Sequence, residues 1–184
     1  MFIEAINAYI DPIKPVDKAI ITHAHADHAK PNHKSVLATK DTINIMKIRY
    51  GENCAKSFQS VAYGEKIYIN GINLTLYPAG HILGSAQILI EDKRNKILVT
   101  GDYKTVKDKT CQSFELIQTE TLITEATFGL PIFKHPNPKD EIEKLLHSIK
   151  TFSSKCHIVG AYALGKSQRV ISLLREKGYD DTIY

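Results

Sequence analysis

Long apolar runs are missing from this 184-residue chain. No stretch approaches the ~18 consecutive apolar residues needed to cross a bilayer, which excludes a helical membrane protein. The start, Met1-Phe2-Ile3-Glu4-Ala5, lacks the basic region and apolar stretch of a secretory signal. Cysteine is scarce. Cys54, Cys111 and Cys156 are odd in number and far apart, so neither a disulfide framework nor a zinc ribbon is indicated. These absences lead to the expectation of an intracellular, reduced, cytoplasmic protein with no membrane partner. Strong charge of one sign is also lacking: a net +4 permits an anionic polymer as partner without demanding one. What remains, 43% hydrophobic and 24% charged residues, is enough to bury a core. The length fits one domain, or one domain and part of another.

Against that plain background one segment stands out. Thr22-His23-Ala24-His25-Ala26-Asp27-His28 packs three imidazoles and a carboxylate into seven residues, directly after the strand-like run Ala19-Ile20-Ile21. Imidazole and carboxylate are ligands that a borderline metal such as zinc prefers. A spacing of two puts His23 and His25 on one face if strand geometry persists. Asp27 and His28 then fall on the following turn, within reach of a second ion. A His-rich loop without metal is the plainer reading. Such density among only eight histidines argues against it.

Hydrophobic periodicity places this cluster in a mixed α and β chain. Residues 19–22 and 35–39 read as short buried strands, and 41–50 as a helix with Ile43, Met46 and Ile48 partly inward. Residues 65–69 and 72–77 flank Asn70-Gly71, a hairpin signal because a type I′ turn needs positive φ at both central positions. Further strands are predicted at 86–91, 97–100, 121–124 and 158–161. Ile142, Leu145, Leu146 and Ile149 mark an amphipathic helix, and 167–177 a closing helix stopped by Gly178. Strands in meander order with helices outside point to a sheet sandwich flanked by helices.

Three later residues supply what the first cluster needs. His81 follows a strand in Pro78-Ala79-Gly80-His81, where glycine permits a sharp turn. Asp102 follows another in Thr100-Gly101-Asp102, and Glu125 a third in Thr124-Glu125-Ala126. Any one of these alone is an ordinary loop residue. Several strands each ending in a potential ligand give one rim of the scaffold a chemical character.

The order His-x-His-x-Asp-His, a later Gly-His, then Gly-Asp resembles the metallo-β-lactamase superfamily. Pro78 to Glu91, Thr100 to Lys104 and Thr124 to Pro131 look like its β-CASP nuclease branch. That branch holds ribonuclease J, the pre-mRNA 3′-end endonuclease and the Artemis-type DNA nucleases. The segments TEATFGLPIFKHP and AYALGKSQRV most resemble bacterial ligase-associated DNA exonucleases, also described as predicted RNA-processing exonucleases. The resemblance implies an α/β (α+β) fold, an αββα metallo-β-lactamase sandwich. It is expected to be incomplete: residues 1–155 as the N-terminal part of that domain and 156–184 as the start of a β-CASP domain. It also implies two zinc ions, or manganese in their place. His23, His25 and His81 would hold one ion and Asp27 with His28 the other, Asp102 bridging them. Asp11 would orient the histidine loop from behind, and Asp27 and Glu125 would serve the chemistry. The implied activity is phosphodiester hydrolysis of DNA or RNA, by an exonuclease in DNA repair or RNA processing. His33, His135, His147 and His157 match no motif and are read as surface or helix residues.

The chain departs from its relatives at the far end. Family members are longer and deliver a last metal-binding histidine after the β-CASP domain. The second zinc site is therefore expected to lack one ligand, and the chain to be impaired alone, needing a missing C-terminal half. Uncovered strand surface would invite a homo-dimer. A non-catalytic metal-binding fragment or scaffold is the alternative, and a small-molecule hydrolase of the lactamase or thioesterase kind a third, disfavoured by the TEATFG and ALGKSQ segments. Gly160 to Ser167 fits the phosphate-loop pattern G-x-x-x-x-G-K-S. Tyr162 and Leu164 are bulky for a loop that wraps phosphate, so ATP is not expected. Lys166 and Ser167 are instead candidate contacts to nucleic-acid phosphate.

Overall fold

The computed structural model describes residues 1–184 throughout. Its residues group into two compact units, Met1–Glu125 and Ala126–Tyr184. The first contains β1 (Phe2–Ile3), β2 (Ala8–Ile10), β3 (Lys18–Ile20), β4 (His33–Ala38), α1 (Lys40–Tyr50) and β5 (Ala55–Ser60). It continues with β6 (Lys66–Ile69), β7 (Ile72–Pro78), β8 (Ala86–Glu91), β9 (Lys96–Val99) and β10 (Thr121–Ile123). The strands form two five-stranded sheets, ordered β1-β2-β3-β4-β5 and β10-β9-β8-β7-β6.

Alternation along the strands explains why the sheets stack. In β4, Leu37 points toward Leu74, Leu76, Ile88 and Ile90 of the second sheet, in a core completed by Ile10 and Ile20. Its neighbours Val36 and Ala38 point the other way, into a cluster with Ile21 and with Ile43 and Met46 of α1. The centre of sheet one at β4 is therefore buried on both faces, as suits a strand flanked by parallel partners. Each such buried Leu or Ile contributes about 1.5–3 kcal/mol. On the far side of sheet two, Leu89 and Leu98 are buried as well. There the irregular segment 103–119 lies over the sheet, tied by Glu115 N–H to Pro78 O and by the Gln87 amide to Glu115 O. The unit is a mixed α and β sandwich.

Several expectations need correction. In the second sheet β6 to β9 follow the predicted meander while β10 joins β9 in parallel, and Asn70 and Gly71 take φ of 50° and 85°, as a type I′ turn requires. The first sheet instead pairs β2 through β5 in parallel, with α1 as the crossover between β4 and β5. The edge strand β5 carries no alternating apolar signal, because its Ala-Lys-Ser-Phe-Gln-Ser sequence is mostly polar. Ile48 is 85% exposed, not inward, since Ile43 and Met46 already define the buried stripe of α1. His33 is only 1% exposed, in β4, and is not a surface or helix residue.

The second unit holds α2 (Pro138–Thr151) and α3 (Lys166–Glu176). The Asn137 side chain caps α2 by accepting from Lys139 N–H, with Pro138 at the first helical position. A Lys177–Glu143 ion pair links the two helices. The strand predicted at 158–161 does not form: Ile158 is 92% exposed, and without a neighbouring strand a ladder has nothing to bond. The expected boundary between 155 and 156 falls inside this unit, between its helices.

Candidate metal centre

Strand ends at one rim of the sandwich carry the candidate ligands. Strand geometry does not persist through the histidine cluster, because β3 ends at Ile20. After it the backbone turns helically at His25, whose carbonyl accepts from His28 N–H (3.1 Å) and Ala29 N–H (2.8 Å). His81 sits in a tight loop after β7, where Ser85 Oγ accepts from the N–H groups of His81 and Ile82. Asp102 lies just past β9. Gly101 precedes it at φ +55°, and a Cβ there would come within 2.7 Å of Thr22 Cβ. Only glycine lets the two loops meet at that point.

The geometry brings His23, His25, His81 and Asp102 together, with one ligand atom from each lying within 4.8 Å of every other. His25 Nδ1 is 3.0 Å from His23 Nε2 and 3.1 Å from His81 Nε2. Asp102 Oδ2 closes the group at 3.8 Å from His23 Nε2 and 3.6 Å from His81 Nε2. Donors around a tetrahedral ion with bonds of 2.0–2.1 Å are roughly 3.3 Å apart, so these separations straddle the expected edge.

Proton bookkeeping supports the same fit. Thr22 Oγ1 spends its only hydrogen on Asp11 Oδ2 (2.6 Å), so at 3.0 Å it accepts from His23 Nδ1–H. His23 Nε2 then carries a lone pair toward the centre. A proton on His25 Nδ1 can satisfy only one of its two nitrogen contacts, leaving another pair of nitrogens facing without a hydrogen. A cation at the centre removes that conflict. Burial, reinforced by the neighbouring His28, His81 and His25, holds His23 far below the ordinary imidazole range. His81 is lowered to about 4 by burial, then by His25 and Lys104, with the Glu125 charge partly opposing. Neutral imidazoles keep their lone pairs available for metal.

A second, more open group adjoins the first. Asp102 turns its other oxygen, Oδ1, to within 3.4 Å of His28 Nε2, and Asp27 Oδ2 lies 3.7 Å from the same nitrogen. Burial would lower the His28 pKa, but the hydrogen bond and charge of Asp11, then Asp102 and Asp27, outweigh it and raise the group. Burial also raises Asp102, against the pull of His28. Asp11 lies behind both groups. Its Oδ1 accepts from Thr22 N–H (2.8 Å), and its Oδ2 accepts from Thr22 Oγ1 and from His28 Nδ1 (2.8 Å). One carboxylate thus sets the tautomers of His23 and His28.

Glu125 lies two residues beyond β10, and its charge is felt at His81 and Asp102. Lys166 and Ser167 belong to the other compact unit. There Ser167 donates both N–H (3.1 Å) and Oγ (2.8 Å) to Tyr162 O, and Lys166 Nζ lies 4.7 Å from the Tyr162 ring centre. Sequence reasoning passed over Thr22, although it is 1% exposed and a hydrogen-bonding hub. Its carbonyl accepts from Ala86 N–H at 2.8 Å, joining the histidine loop to the second sheet. A polar residue at the end of an apolar strand was the available signal.

Comparison with known proteins agrees with this geometry. No protein-family profile matches the chain. Among curated proteins it is 30% identical to a probable DNA ligase of Opitutus terrae, over 96% of this chain and 17% of that protein. It is 31% identical to the RNase aCSPSF2 of Saccharolobus solfataricus, over 90% of this chain and 39% of that one. An RNase J-like protein of Methanocaldococcus jannaschii is 29% identical, over 88% and 44% respectively. The chain thus spans less than half the length of each of these relatives. A crystal structure of a protein of unknown function from Enterococcus faecalis shares the fold, with a TM-score of 0.58, 15% identity and 85% of this chain covered. The chain is thus similar over 88–96% of its length to these curated relatives, which agrees with the resemblance of its motifs to the β-CASP nuclease branch of the metallo-β-lactamase superfamily.

Proposed function

We propose that this chain carries the metal-binding half of a phosphodiester hydrolase acting on DNA or RNA. The observation that carries the reading is the convergence of His23 Nε2, His25 Nδ1, His81 Nε2 and Asp102 Oδ2 on one point. Names of relatives such as RNase aCSPSF2 and RNase J-like protein support a nucleic-acid substrate. We assign zinc to the nitrogen-rich inner group, by the preference of a borderline ion for imidazole. We assign a second ion to Asp27, His28 and Asp102 Oδ1, a thinner donor set that leaves positions open. Bound divalent ions would offset charge on phosphoryl oxygens and lower the pKa of water toward neutrality.

The residues of the chain do the rest. Asp102 reaches both donor groups with its two oxygens and fixes their separation. Asp11 and Thr22 hold His23 and His28 with Nε2 inward. Asp27, whose side chain is 79% exposed, is open to solvent and substrate, and Glu125 can take up a proton beside His81. By the same reading, residues 1–155 are the N-terminal part of a metallo-β-lactamase domain and 156–184 begin a β-CASP domain. Lys166 is assigned a phosphate contact. We assign exonuclease action in DNA repair or RNA processing from the motif resemblance, and the names of the ligase and ribonuclease relatives support a nucleic-acid substrate. No helix is long and apolar enough to cross a membrane. By the same reading the setting is cytoplasmic, with Cys54, Cys111 and Cys156 as free thiols.

The test is hydrolysis of an activated generic phosphodiester, and of end-labelled single-stranded DNA and RNA, with zinc or manganese added to chelator-treated chain. Weak metal-dependent cleavage that disappears in H81A is expected of a chain that spans less than half the length of its relatives. Tight metal binding with no phosphodiester cleaved would contradict the hydrolase reading.

A further inference from the structure

Helix α1 touches both ligand loops, one with each end. At its start, Thr39 Oγ1 (2.7 Å) and Thr42 Oγ1 (3.0 Å) both donate to Gly84 O in the loop that carries His81. That loop is seated directly on the helix: a Cβ at Gly84 would lie 2.7 Å from Thr42 N and 2.8 Å from Asp41 Cβ. Near its end, Arg49 donates from one guanidinium nitrogen to Ala24 O at 2.5 Å, the carbonyl between His23 and His25. Thr42 and Arg49 are seven residues apart, two helical turns, so they share one stripe of the helix about 10 Å apart along its axis. Met46 lies on that stripe between them and is 1% exposed, packed with Ile21 and Ala29 on either side of the histidine cluster.

We propose that α1 is a strut that sets the spacing between the two ligand loops. Thr42 and Thr39 hold the His81 end, and Arg49 holds the His23–His25 end. These are positioning residues: none offers an atom to the metal group. The inference rests on the metal centre proposed above. A rigid element suits the task, because three nitrogens on two separate loops must be kept within a fraction of an ångström of their working geometry. A simpler role exists for each residue. Arg49 complements the carboxyl end of the helix dipole, and Thr39 caps the helix by accepting from Thr42 N–H. The test therefore turns on Thr42 and Arg49, with readouts that helix stability alone does not move.

The 184-residue chain is stripped of metal and titrated with zinc, and its cobalt(II) absorption spectrum is recorded, for wild type, R49M, T42V and T42S. Thr42→Val removes a hydroxyl at constant shape, and Thr42→Ser restores it. R49M is expected to weaken zinc affinity about tenfold, at the lower end of what supporting partners contribute. It should also change the cobalt ligand-field bands. T42V is expected to act in the same direction and T42S to return to wild type. If R49M does not fold, the Thr42 pair decides. Affinity and spectrum equal to wild type, with only the melting temperature of the metal-free chain reduced, would overturn the strut. Failure of the wild type itself to bind zinc or cobalt would instead remove the metal centre, and the strut with it.

Discussion

The two donor groups at the rim share Asp102 and differ in almost everything else. The inner group is anchored by His23, which is fully buried, and burial together with neighbouring imidazoles lowers the pKa of His23 and His81. The outer group contains Asp27, with a side chain 79% exposed, and His28, whose pKa is raised by three surrounding carboxylates. Burial preorganises the first for an ion that stays. Exposure leaves the second open for exchange with solvent and substrate. On the proposed function, the contrast would give tight binding to one group and turnover to the other.

Removing an inner donor should have the largest effect. H81A takes away one of the four converging ligand atoms, and zinc affinity is expected to fall well beyond the 10–100-fold typical of supporting partners. Isothermal titration against chelator-buffered zinc measures it. A fall below tenfold would show that His81 is not a ligand. Next comes Thr22, which serves both groups through Asp11. T22V removes the hydroxyl that fixes the His23 tautomer and should weaken the tight site about 10–100-fold, while T22S retains it. Equal affinities for T22V and T22S would break the proposed link from Asp11 to His23. D27N should act on the outer group alone. It is expected to leave tight zinc binding within about threefold while abolishing phosphodiester cleavage, and loss of the tight ion would merge the two groups into one.

The smallest expected effect concerns the fold beneath the site. His33 is buried, and its Nδ1 accepts from Val16 N–H at 3.2 Å, so the ring must stay neutral. Burial lowers its pKa below the ordinary 6.5. The unfolded chain therefore takes up the proton first as pH falls, and stability is lost from about pH 6.5 downward. In the metal-free chain His23 and His81 act with the same sign. Denaturant unfolding between pH 7.5 and 5 should show a shallower decline in H33Q than in wild type. Identical slopes would place the titration elsewhere.

Much of this was legible beforehand, for identifiable reasons. The Asn70-Gly71 turn and strands β7 and β8 follow from local chemistry alone. The candidate donors stand out because His23, His25, Asp27 and His28 are crowded in sequence, and because His81 and Asp102 each adjoin a glycine after an apolar run. The parallel pairing of the first sheet was not legible, since it depends on a partner strand, β5, whose polar sequence resembles a loop. Residues 158–161 show the converse: an apolar run reads as a strand but has no neighbour to pair with. Thr22 and Arg49 escaped notice because their roles are hydrogen bonds to groups 11 and 25 residues away in the chain, which no local pattern displays.

The number of ions the rim holds, and how unequally it holds them, distinguishes two donor groups from one. Zinc titration of the chelator-treated wild-type chain, read beside H23A, measures this. Two classes of site are predicted in the wild type, one at least tenfold tighter than the other, with the tight class missing in H23A. A wild type with no tight ion, or an H23A variant that keeps one, would contradict the account.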